Sequence, residues 1–317
     1  MKIGVFAMGG TIAMRSQPGG GVAPEDGADA IWSSAHLASD ITVERHDLAL
    51  KPSASVDLSD VAALADAIQR AAAYGMNGAV VTHGTDTLEE TAFALELMLG
   101  NAIPVVVTGA MRSADSIGAD GPANLAAAIN IAADPKARDY GVMVLFGDEI
   151  HAAHMVRKVH SARPHAFSSE PYGPIGHVVE SVVHFEMTSC VVLPRLTLGG
   201  PIPVVPILQA GMDLEPETIR AFKGTEIAAL IIAGVGGGHV SARATPALEA
   251  LAREKPVVIT SRVGMGPTLQ NSYAYSGGDI DLQKRGVLNG GRWRPSQVRI
   301  LVQLALSSGK SLREILK

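Results

Sequence analysis

Apolar runs of strand length recur at residues 2–8, 78–81, 103–108, 142–146, 204–208, 227–233 and 257–260, with helix-like segments between most of them. Runs that are apolar at every position, rather than at every second one, belong to strands buried on both faces. Helices packed on both sides of a mostly parallel sheet produce that burial, so the pattern predicts an α/β fold. At 317 residues the chain exceeds the size at which a single core usually stops growing. The interior should be aliphatic, since aromatic residues make up only 4% of the chain against 47% hydrophobic residues overall.

Residues 187–206 carry Pro194, Gly199, Gly200, Pro201, Pro203 and Pro206 and no helical period. They predict a linker over 187–203 between a larger amino-terminal α/β domain, 1–186, and a smaller carboxy-terminal one, 204–317. Helix starts are predicted at Thr87-Leu88-Glu89-Glu90, which has the spacing of a capping box, and at Asp120-Gly121-Pro122 and Pro246, where proline suits a first turn.

Charge excludes some partners. The net charge is -5 and no block of lysine or arginine is present, so nucleic acid is not expected. Only 18% of residues are charged, which predicts that partner subunits cover part of the surface. The single cysteine, Cys190, rules out an intrachain disulfide framework. No apolar stretch reaches the length of a membrane span, and the run after Met1-Lys2 is too short for a signal-peptide core; a cytoplasmic protein is the expectation.

Two threonines follow strand-like runs on glycine-rich turns: Thr11 in Gly9-Gly10-Thr11-Ile12-Ala13, and Thr85 in Thr82-His83-Gly84-Thr85-Asp86-Thr87. Each would emerge at the carboxyl end of a strand, the edge at which open α/β sheets hold ligands. A threonine hydroxyl attacks poorly unless a base takes its proton and donors stabilise the oxyanion; backbone amides of the two turns are candidate donors. Asp86 is an anchor for a substrate ammonium or, equally, a helix cap. The glycine-rich segment 15–25, with Gly19, Gly20 and Gly21, reads as a mobile flap or as an ordinary surface loop.

These motifs, with Thr85-Asp86-Thr87-Leu88-Glu89-Glu90-Thr91-Ala92, Val107-Thr108-Gly109-Ala110-Met111-Arg112, Ala119-Asp120-Gly121-Pro122-Ala123-Asn124, Tyr172-Gly173-Pro174-Ile175-Gly176 and the 298–306 segment, make the chain similar to the bacterial-type L-asparaginases and glutaminases. The resemblance runs over essentially the whole chain. It implies a two-domain asparaginase-like α/β hydrolase, a dimer of dimers, that cleaves the side-chain amide of a small molecule through an acyl-threonine and needs neither metal nor cofactor. It implies Thr11 as nucleophile, Thr85 and Lys158 as a second threonine with its basic partner, and Asp86 as holder of the substrate amino group. Ser55 falls where the family binds the substrate carboxylate, and Ala110 joins the substrate contacts. A lysine at random is a solvated surface group; Lys158 works as a base only if burial or cations such as Arg157 and Arg163 crowd it.

The chain departs from that pattern at three places. Gly20 stands where the family's flap carries the tyrosine that polarises the first threonine, and Val56 stands where a glutamine grips the substrate backbone. Tyr273 stands where a neighbouring subunit lends a glutamate. Losing two charge-assisted bonds would weaken selection for a free α-amino acid about a hundredfold or more. The expectations are a different or modified amide, or Tyr273 entering from a partner subunit as the replacement phenol. Two other readings stand beside hydrolysis: a binding or regulatory homologue without turnover, and an amidotransferase subunit, whose extra amino-terminal domain is not seen here.

Among weaker signals, the step from His151 to His154 could set two imidazoles on one helical face, without acidic ligands at metal spacing. Gly309-Lys310-Ser311 lacks the first glycine of a phosphate loop, and the run 234–238 reads as a tight turn after a strand.

Overall fold

The computed structural model describes residues 1–16, 19, 22–24, 40–49, 51–99, 102–187 and 191–316. They form two compact units, Met1–Arg195 and Leu196–Lys317. Residues 191–206 adopt neither helix nor strand. Cys190 and Gly20 lie outside the described residues.

In chain order the first unit contains β1 (Lys2–Ala7), β2 (Met14–Ser16), β3 (Val22–Pro24), β4 (Thr42–Asp47), α1 (Leu58–Ala73), β5 (Gly78–Thr82), α2 (Leu88–Met98), β6 (Val105–Thr108), α3 (Gly121–Ala133), β7 (Val142–Phe146) and β8 (Glu149–Ala152). There follow β9 (Arg157–Lys158), β10 (Phe167–Ser168), β11 (Gly176–Val179) and β12 (Val182–Phe185). The main sheet runs β12-β11-β8-β7-β6-β5-β1-β4. From β7 to β4 every pairing is parallel, and β8, β11 and β12 extend the sheet antiparallel. Ile3, Val5, Val80, Val106 and Met143 pack on Leu125, Ala128, Ile129 and Ala132 of α3. Their neighbours Phe6, Val81, Val107 and Val144 are equally buried on the other face, where α2 lies against β6 and β7 and packs on α1. Burying one such side chain stabilises by about 1.5–3 kcal/mol, which is why the uninterrupted apolar runs became strands.

The second unit has β13 (Ile207–Gln209), α4 (Pro216–Arg220), β14 (Leu230–Gly234), α5 (Thr245–Ala252), β15 (Val257–Ser261), α6 (Asp279–Lys284), β16 (Leu288–Asn289), α7 (Pro295–Ser307) and α8 (Leu312–Ile315). Its strands form one parallel sheet, β13-β14-β15-β16. Leu248 and Leu251 cover Leu230, Ile232 and Ile259 on one face; Val298 and Val302 cover Ile231 and Val258 on the other. This is the expected two-domain asparaginase-like architecture. Among the described residues no helix is long and apolar enough to cross a membrane.

Several strands start later than their apolar runs. β6 begins after Pro104 and β13 after Pro206, because proline has no N–H to give the ladder. β14 begins at Leu230, and the Ile227 carbonyl accepts instead from the Lys255 ammonium at 2.9 Å. The short antiparallel strands β8, β11 and β12 were not predicted, since four residues of mixed polarity carry little periodic signal.

His151 and His154 do not share a helical face. His151 is on β8 and His154 in the turn after it. His151 is fully buried, its Nδ1 2.9 Å from Ser169 Oγ, while His154 Nδ1 lies 3.0 Å from a Glu96 carboxylate oxygen. Burial pushes the His151 imidazole down from 6.5 to about 4. Above pH 6.5 the ring is neutral in both folded and unfolded chains. Between 6.5 and 4 only the unfolded chain takes up the proton, so stability falls as pH falls, by about 3 kcal/mol in all. Urea unfolding of wild type and His151→Asn from pH 7 to pH 4 should therefore diverge, the variant losing less; superimposable pH dependences would refute the assignment.

Candidate active site

β1 and β5 are parallel neighbours with Ala7 opposite Thr82, so their carboxyl ends lie side by side. Met8 N–H donates to the Thr82 carbonyl at 2.9 Å, joining the two strands where both turns begin. Gly10 then adopts φ 94° and ψ 177°, a region open essentially to glycine alone. A Cβ there would collide with the backbone of His83 and Gly84, and a Cβ on Gly84 would strike the Ser53 side chain at 2.7 Å. The glycines of the two motifs thus exist to let the turns touch, which places Thr11, in a turn of 3-10 helix (Thr11–Ala13), beside the turn that carries Thr85. Gly10→Ala is expected to cost about 1–3 kcal/mol from the backbone alone, and more from the collision. A melting temperature unchanged from wild type would contradict that contact.

Lys158, on β9, reaches into this turn. Its Nζ donates to Thr85 Oγ1 at 2.9 Å and to Asp86 Oδ1 at 2.8 Å. Its backbone N–H donates to the Glu89 carboxylate. The Lys158 side chain is 16% exposed and that of Asp86 68% exposed, so the ion pair has a sheltered cation and a solvated anion. The sequence motif that set Lys158 apart from an ordinary surface lysine corresponds to real contact with Thr85. Its ammonium donates to a hydroxyl and to a carboxylate.

Thr87 does not form the expected capping box. It occupies the cap position of α2 without a side-chain cap bond, because its hydroxyl donates instead to the Ser53 carbonyl at 2.7 Å. Ser53 Oγ accepts from Asp86 N–H at 3.2 Å. Ser53 is buried and fastens the Thr85 turn from the side; as a small polar residue near Ser55 it gave no signal of its own. Beneath the turn, buried His83 has Nδ1 2.8 Å from the Gly84 carbonyl and Nε2 3.1 Å from Thr91 Oγ1. Burial pushes its imidazole down, which keeps the ring neutral.

The Ala110 loop is held from below. Asp120 does not cap α3 with its side chain; its carboxylate accepts from Met111 N–H and Arg112 N–H, each at 2.9 Å. Asn124 donates to the Gly109 carbonyl at 2.9 Å. Ala110 is buried, its Cβ close to the space above Gly121 that Ile12 also borders. Ser55 is exposed on the turn Ser53–Ser55, with Val56 next to it. Next to Thr11, β2 and β3 pair antiparallel as the stem of the expected flap segment. An open cleft of about 420 Å³ is lined by Asp86, Glu89, Lys158, Val159, His160 and Ser161.

Tyr273 belongs to the second unit. It is 44% exposed and packs edge-to-face on His239, with ring centroids 5.1 Å apart. Both its own N–H and that of Ser272 donate at 2.8 Å to the buried Asp279 carboxylate.

Comparison with known proteins agrees with this architecture. Residues 2–190 match the asparaginase amino-terminal family, and residues 204–317 match the glutaminase/asparaginase carboxy-terminal domain. A probable L-asparaginase of Deinococcus radiodurans is 31% identical, over 99% of this chain and 95% of that protein. A glutaminase-asparaginase of Acinetobacter glutaminasificans is 34% identical over 76% of this chain and 73% of that protein. The crystal structure of a probable cytoplasmic L-asparaginase from Campylobacter jejuni superposes with a TM-score of 0.86 at 29% identity, covering 99% of this chain and 98% of that one. With both halves matched in order and the two threonine turns in contact, the chain belongs to the asparaginase family.

Proposed function

We propose that this asparaginase-family amidohydrolase cleaves the side-chain amide of an asparagine-like small molecule, releasing ammonia through an acyl-threonine on Thr11. The observation that carries the reading is the Lys158 ammonium, within hydrogen-bond reach of Thr85 and Asp86 on the turn that abuts the Thr11 turn. Thr11 attacks the carbonyl, and backbone amides of the two turns stabilise the oxyanion. Lys158 gives a proton through Thr85 to the departing nitrogen, which leaves as ammonia. The resulting amine takes up the proton that Thr11 gives up, which restores the ammonium, and the water that opens the acyl-threonine adds its hydroxyl to the acyl carbon and its proton to Thr11 Oγ. Asp86 and Ser55 bind the substrate's ammonium and carboxylate, Ala110 lines the pocket, and Tyr273 closes it from a second copy of the chain in a dimer of dimers. The chemistry uses no metal or cofactor, and the protein works in the cytoplasm.

Val56 cannot hydrogen-bond through its side chain where the family has a glutamine, which favours an amide other than free asparagine. Ammonia assays across asparagine, glutamine and α-substituted amides, with intact-mass detection of a hydroxylamine-sensitive adduct, test the proposal. Binding of these amides with no ammonia from any of them would replace it with a non-hydrolytic binding role.

A further inference from the structure

A proton path from Lys158 to Thr85 needs the lysine at a fixed place beside that turn, yet its strand is not part of the main sheet. β9 pairs with β10 in a separate two-stranded ribbon, with Lys158 opposite Phe167. On the β10 side, Val159 N–H donates to the Ala166 carbonyl at 2.7 Å. Successive N–H groups of a strand point to opposite edges, so that of Lys158 points away from β10. There the carboxylate of Glu89, in the first turn of α2, accepts it.

The same helix holds the chain ahead of β9 at a second point. The Glu96 carboxylate oxygens lie 3.0 and 3.2 Å from His154 Nδ1, and these side chains are only 14% and 4% exposed. Glu89 and Glu96 are two helical turns apart, so they share one face of α2, about 10 Å from each other along its axis. Four residue steps reach at most about 14 Å, so the segment from His154 to Lys158 spans that face with an acidic side chain at each end.

We propose that Glu89 is a positioning residue for Lys158. Its bond goes to the backbone, so it fixes where the lysine side chain starts and leaves the ammonium to Thr85 and Asp86. α2 then sets both ends of the proton path: Thr85 stands on the turn that leads into the helix, and Glu89 holds the backbone from which Lys158 reaches Thr85. The inference rests on the reading that Lys158 passes a proton through Thr85. Because the group held is a neutral N–H, a glutamine carbonyl can replace the carboxylate as acceptor.

The test measures ammonia release from asparagine, glutamine and α-substituted amides by Glu89→Met and Glu89→Gln. The methionine keeps the stem and the helix propensity and removes the oxygen acceptor. Its kcat should fall about 10- to 100-fold with KM changed by less than about twofold, the cost of a misplaced proton donor. Glu89→Gln should recover most of kcat. Added to Lys158→Met, Glu89→Met should lower the residual kcat no further, because a positioning residue acts only through the group it places. Undiminished kcat in Glu89→Met, a glutamine variant as slow as the methionine one, or the same further loss on top of Lys158→Met would overturn the inference. None of these results touches the role of Lys158 itself, which falls only if Lys158→Met keeps wild-type kcat.

Discussion

Thr11→Ala should abolish turnover, lowering ammonia release at least about 10³-fold, while the folded protein and its affinity for substrate survive. Thr11 sits in a partly exposed turn, so removing a hydroxyl and a methyl there leaves no deep cavity, and a stability change beyond about 1 kcal/mol is not expected. Thr11→Ser restores a hydroxyl at the same place and should recover part of kcat, since only the β-methyl that limits its rotamers is lost. Hydroxylamine-sensitive mass should vanish in the alanine variant and persist in the serine variant. Ammonia release by Thr11→Ala at a tenth of the wild-type rate would exclude an acyl-threonine at this position and return the nucleophile to Thr85 or to water.

The legible part of this site was the part written in glycine and in apolar runs. A continuous run such as residues 78–81 has no polar face to present, so it could only become an inner strand; the glycines after it and after β1 marked backbone that must pass where no Cβ fits. The contact between Gly10 and Gly84 explains both at once. What stayed hidden depends on partners distant in sequence. Thr87 looked like a cap because the three-residue spacing to Glu90 was right, but the Ser53 carbonyl, brought in by the loop before α1, competes for its hydroxyl. Asp120 looked like a cap because an aspartate ahead of Gly121-Pro122 suits a helix start, and two amides of the Ala110 loop claimed its carboxylate. Local spacing cannot register such competition. His83 and Ser53 were unmarked because a buried polar residue differs from a surface one only in its neighbours.

Lys158→Met separates what the lysine does for the fold from what it does for the reaction. The Asp86 end of its ion pair is mostly in solvent, so the pair should contribute at most about 1 kcal/mol, and the methionine stem can fill the sheltered space that the lysine stem leaves. Thermal stability should therefore change little. Turnover should not: without the ammonium, Thr85 has nothing from which to pass a proton to the departing nitrogen, and kcat should fall about 10²- to 10⁴-fold. Lys158→Arg is the more informative variant. It keeps the charge and can still reach Asp86, but a guanidinium does not give up its proton, so the step in which Lys158 must act first as acid and then as base stays blocked. Thr85→Val should lose a similar factor, and Lys158→Met with Thr85→Val should lose no more than the worse single variant, because the two side chains form one path for one proton. Near-wild-type kcat in Lys158→Arg would reduce the lysine to an electrostatic anchor for Asp86 and require a different route for the proton that leaves with ammonia.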